Sequence, residues 1–152
     1  MKRMTGVAAA AGLLLAAAPA LAVDGLVAVE SAHDPATTMD RFEEAAENAD
    51  LNIFVRVNHA EGAASIGEEL RPTELIVFGN PQGGTPFMQC AQSVGIDLPL
   101  KALTWEDETG QAWLGYNDPA WVAARHGVED CPVVGGMTEA LEGLAHTATA
   151  AD

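Results

Sequence analysis

Positive charge is what this chain has least of. Its only lysines are Lys2 and Lys101, and seven basic side chains face 22 acidic ones, for a net charge of −15. A field of that sign repels phosphate, which argues against nucleic-acid binding and against docking on anionic lipid. Cysteine is nearly as scarce, with Cys90 and Cys131 too far apart for a CxxC redox motif. No HExxH, HxxxH or tight His/Cys cluster occurs, so local spacing supports no zinc site. Serine is limited to Ser31, Ser65 and Ser93, none in a GxSxG elbow, so a serine nucleophile has no motif behind it. No apolar run reaches the roughly 20 residues that a membrane-spanning helix needs.

The longest apolar run lies at the N-terminus. Lys2 and Arg3 precede an apolar core from Val7 to Ala18, then Pro19 and the small-residue site Ala20-Leu21-Ala22. The pattern reads as a secretory signal peptide over 1–22, with cleavage after Ala22. The expected mature chain is a single domain, 23–152, exported to a bacterial periplasm. Lys2 and Arg3 leave with the leader while every acidic residue stays, so the mature charge is 5 − 22 = −17. Solubility is the plain reading of that charge, and a cation-collecting surface is the sharper one. In an oxidising compartment Cys90 and Cys131 pair by default, although sequence cannot place their Cα atoms within reach.

Periodicity then orders the elements. Gly25–Glu30 reads as a strand, and Asp34-Pro35 opens a helix with Met39, Phe42, Ala45, Ala46 and Ala49 on one face. Leu51–Asn58 is a strand that sets Ile53, Val55 and Val57 against Phe54 and Arg56. A short helix is expected within His59–Leu70, and Glu74–Phe78 is a central strand, apolar on both faces. The loop Gly79–Gly84 leads to a helix expected from Thr85 to Val94. Ala102–Glu106 and Ala112–Tyr116 form a hairpin around Asp107–Gly110. Asp118-Pro119 opens a helix that Gly127 closes, and a last helix is expected over Met137–His146. This order implies an α+β two-layer fold, with a mixed or antiparallel sheet of about five strands and helices mainly on one face.

The leading functional candidate is the loop Gly79, Asn80, Gly83, Gly84 and Thr85, where a buried strand, a Gly-rich turn and a helix start meet. Free backbone N–H groups at such a junction would suit a small anionic or polar ligand. It is not a phosphate loop, because the GK[ST] ending is absent. His59 and the Asn117–Asp118 turn are placed as neighbours of this surface. Two other readings are carried. One is an enzyme using His59 or His126 as a base. The other is copper or redox handling through Met88, Cys90 and His126, although Met88 and Cys90 lie about 200° apart around a helix. No cofactor is implied. The partner is a small ligand or a periplasmic protein, and a homo-oligomer is left open.

The segments FVRVNHAEGA, LRPTELIVFGNPQGGTPFMQ, LPLKALTWEDETG and WLGYNDPAWVAARHG resemble the bacterial domain-of-unknown-function 302 family, over roughly Leu26 to Leu144. The resemblance implies a compact α+β domain, often exported. It implies no activity and no catalytic residues.

Overall fold

A computed structural model describes residues 23–152, so the expected leader lies outside the described residues. Strand β1 (Leu26–Glu30) is followed by helix α1 (Pro35–Asn48), strand β2 (Asn52–Asn58), helix α2 (His59–Ser65) and strand β3 (Thr73–Gly79). Helix α3 (Pro81–Cys90) and a 3₁₀ turn (Gln92–Ile96) lead to β4 (Leu100–Glu106), β5 (Ala112–Asn117), α4 (Pro119–Arg125) and α5 (Val133–Thr149). The sheet order is β1-β5-β4-β3-β2, and every neighbouring pair is antiparallel. The expected mixed or antiparallel sheet of about five strands is therefore a fully antiparallel one of five.

Local chemistry explains most boundaries. Asp34 caps α1 by accepting from Thr37 N at 3.0 Å, and Pro35 sits at the first helical position. Asp118 caps α4 in the same way, accepting from Ala120 N at 2.8 Å, and Gly127 follows at φ +67°. In the hairpin turn, Asp107 Oδ1 accepts from Thr109 N, Thr109 Oγ1 and Gln111 N, and Gly110 takes φ +86°. These bonds hold the Asp107 carboxyl well below the usual range, the Thr109 hydroxyl first among them and the Trp113 indole second.

α1 and α5 pack against each other and across one face of the sheet. Between them lies the core, built on Met39, Phe42, Ile76, Phe78, Leu114 and Leu141. The rings of Phe42 and Phe78 meet edge-on, with centroids 5.1 Å apart.

The strand pattern needs one correction. Ile53 pairs with Phe78 and Val55 with Val77, so the register slips between them and Phe54 is the extra residue of a β-bulge. Ile53 packs on the core and Phe54 also turns to the helix side, where it borders a cleft. Val55 and Val57 are left on the opposite face, 46 % and 38 % exposed. Simple alternation had grouped them with Ile53, and a bulge is invisible to a period-two pattern. Arg56, between them, reaches back to Glu74, Asp40 and Glu43 at 2.6–2.9 Å. These carboxylates raise its pKa, Glu74 most of all.

Candidate functional site

The helix after β3 starts four residues before its expected position. Asn80, not Thr85, is the N-cap: its Oδ1 accepts from Gly83 N at 2.9 Å, and its backbone oxygen accepts from Gly84 N at 3.1 Å. Pro81 takes the first helical position, so Thr85 and Pro86 fall inside α3. Two glycines at 83 and 84 argue against helix by propensity, and the Asn-Pro capping pair overrides them. The consequence is chemical. The amides of Gly83 and Gly84, expected to be free for an anion, are already paired.

What this junction does instead is form one end of a large cleft of roughly 1100 Å³. Gly79, Asn80, Gly83, Gly84 and Thr85 all line it. Facing them are the end of α1 (Ala45, Asn48, Ala49) and a stripe of α5 (Val133, Gly136, Ala140, Gly143, Thr147). Buried Phe78, Leu141 and Leu144 form its base, and Phe54, Met88 and Leu98 contribute further apolar surface. Small residues on three sides create the space. Among the described residues, Glu139 is the one charged side chain on the wall, and Asn80 has spent its amide on Asp50 O and Gly83 N.

The other expected site residues do not gather here. Asn58 pairs with Glu74 while Asn52 pairs with Gly79, so His59 lies past the opposite end of β3 from the loop, roughly 17 Å along the strand. Asn117 borders a much smaller neighbouring cavity with Phe87 and Leu98, and Asp118 is occupied as the α4 cap. Cys90 and Cys131 are joined as a disulfide with their Cα atoms 6.1 Å apart, which takes Cys90 out of any copper site. Met88 does line the cleft, with its Sδ beside Gly95.

His126 finds partners that spacing did not reveal. Its Nδ1 lies 2.8 Å from Ser93 Oγ, and its Nε2 lies 2.7 Å from Asp97 Oδ2. A carboxylate can only accept, so Nε2 carries the proton and a neutral ring leaves Nδ1 to accept from Ser93. Asp97 also receives Arg125 Nη1 at 2.8 Å, and Arg125 lies over the Trp121 ring. Ser93 is exposed, whereas the side chains of His126 and Asp97 are 8 % and 11 % exposed. Ser93 and His126 are 33 residues apart, which is why sequence motifs missed the trio.

A five-stranded antiparallel sheet, helices over one face and an apolar cleft at the β3–α3 junction define a small α+β domain. Residues 27–146 match the family described as domain of unknown function DUF302, and the chain belongs to that family. A crystal structure of an uncharacterized conserved DUF302 protein from Bacillus stearothermophilus has the same fold, with a TM-score of 0.73 at 15% identity. The likeness covers 83% of this chain and 99% of that one. Two chains named Fluoride-specific ion channel FluC 1, from Brucella suis biovar 1 (strain 1330) and Brucella abortus biovar 1 (strain 9-941), are 53% identical over 102 residues. That stretch is 67% of this chain, which spans 40% and 38% of those relatives' lengths. Among the described residues, no helix is long and apolar enough to cross a membrane.

Proposed function

We propose that this chain is an exported, non-catalytic binding module that holds a small, mainly apolar ligand in the cleft between α1, α3 and α5. The observation that carries this reading is the cleft itself: roughly 1100 Å³, apolar at its base, and walled by small residues. Ligand sites are commonly concave, apolar and about 300–1000 Å³ in volume, with a few polar groups at the margin. With Glu139 as the one charge on the wall among the described residues and the Gly83 and Gly84 amides paired, an anionic head meets no cationic partner there. The ligand class is therefore a neutral or cationic molecule with an apolar body.

Gly136 and Gly143 provide the test. A Cβ added at either meets nothing within 4 Å, so leucine fits the helix and fills the cleft instead. Titration with Nile red, an uncharged apolar dye, should show saturable binding that Gly136→Leu and Gly143→Leu each weaken at least tenfold, without loss of thermal stability. Unchanged dye affinity in both folded variants would overturn the reading.

The Ser93–His126–Asp97 chain supports a second reading, an acyl hydrolase in which His126 is the base. The Ser93 proton would pass to Nδ1 as Oγ attacks an ester carbonyl, and the protonated ring would then return a proton to the departing alkoxide. Labelling of Ser93 by a fluorophosphonate, lost in His126→Gln, is its test; a protein inert to the reagent would exclude it.

A further inference from the structure

We infer that the sheet face opposite the helices is a self-association surface, on which a second copy of this chain packs sheet against sheet. The face is apolar along its middle row and in part of the rows beside it, which Lys101 and Asn117 interrupt on one side and Thr73 and Glu30 on the other. Ala28, Gly115, Leu103, Leu75 and Val57 are register partners across all five strands. Val55 and Val77 pair on one side of this row, and Trp105 and Trp113 on the other. The bulge at Phe54 sets this pattern, since it turns Val55 and Val57 outward together.

The two tryptophans lie down on this face. Trp105 lies over Gly115, so closely that an added Cβ would come within 2.9 Å of the ring. Trp113 stacks beside Trp105 at 6.3 Å and 14°, with its Nε1 donating to Asp107 Oδ2. Charge is nearly absent. Of the 22 acidic residues, Glu30 alone has a face position in the register, at the margin of the edge strand. Lys101 bends away to donate to the carbonyls of Asp97 and Pro99.

Those features select the occupant. Five strands about 4.8 Å apart and three side-chain rows give a footprint of roughly 400–500 Å² in projection. Two copies together then bury about 800–1,000 Å², which is the range of weak, transient interfaces and below the roughly 1,200 Å² of stable ones. Among the described residues, Glu30 and Lys101 are the charged ones at register positions of this face, too few to anchor an ionic partner. The natural complement of a largely apolar sheet face is another one, at the usual sheet-to-sheet spacing of about 10 Å, and the chain supplies it itself through an isologous contact. Each copy carries 5 − 22 = −17 over residues 23–152, so distant repulsion opposes the dimer and salt relieves it.

Sedimentation velocity of residues 23–152 tests the inference. A dimer that dissociates on dilution and tightens several-fold from low to high salt is expected, with the Trp emission shifting to the blue as copies associate. Val57→Glu, at an already exposed position, should give a monomer with unchanged melting temperature, and Val55→Lys provides the same test with the opposite charge. A wild-type chain that stays monomeric at its highest soluble concentration would overturn the inference. So would a dimer that persists in both folded variants, or one that weakens as salt rises, which would indicate an ionic contact elsewhere.

Discussion

Asn80 decides much about the cleft, because one side chain both starts α3 and removes the amides that an anion would need. Other single residues carry their own tests. Thr104 is fully buried and its hydroxyl has no partner among the described residues, so Thr104→Val should raise stability by about 1 kcal/mol in urea unfolding. Arg56 gathers three carboxylates and is only 28% exposed. Arg56→Leu leaves Glu74, Asp40 and Glu43 without their cation, and should destabilise the fold by about 2 kcal/mol, between the surface and buried limits for ion pairs. Asp107 and Asp34 have folded pKa values below their unfolded value of 3.8. Their contribution is complete above that pH and is lost as pH falls below it. Acid unfolding should therefore depend less on pH in Asp107→Asn, as measured by melting temperature between neutral and acid pH. Burial raises the Tyr116 pKa, with Glu142 and Asp118 adding to it. The same reasoning places its loss of stability on the alkaline side, above its unfolded value of 10.0.

Individual elements show why part of the architecture was legible from residues alone. α1, α4 and the 107–110 turn declare themselves through Asp caps, N-terminal prolines and a glycine at positive φ, all local signals. α3 misled because Gly83-Gly84 reads as loop, and capping by Asn80 outweighs that propensity. α5 begins at Val133 rather than Met137, again through a Gly-Gly pair, and that early turn brings Gly136 into the cleft. The five cleft residues from Gly79 to Thr85 were legible as one place; the facing wall was not, because α1 and α5 arrive from distant sequence. The Cys90–Cys131 bridge ties the end of α3 to the start of α5, along one border of the cleft. Closing a loop of this size contributes about 4 kcal/mol on the chain-entropy model. Reduction should lower the melting temperature by roughly 10 °C or more, and should weaken Nile red binding in the fraction that stays folded.

At the scale of the whole molecule, the two sides of the sheet divide the labour. Helices cover one side and leave a cleft beside α5, while the other side carries no helix among the described residues and is largely apolar within a strongly acidic chain. Within a chain of this acidity, both apolar surfaces stand out as exceptions. The most direct measurement is amide chemical-shift mapping with a neutral long-chain alcohol. Shifts concentrated at Gly79, Gly83, Gly84, Gly136 and Gly143 are expected, and they should saturate. Shifts confined to Val57, Leu75 and Leu103, or no saturable shift at the cleft glycines, would contradict a ligand site between α1, α3 and α5.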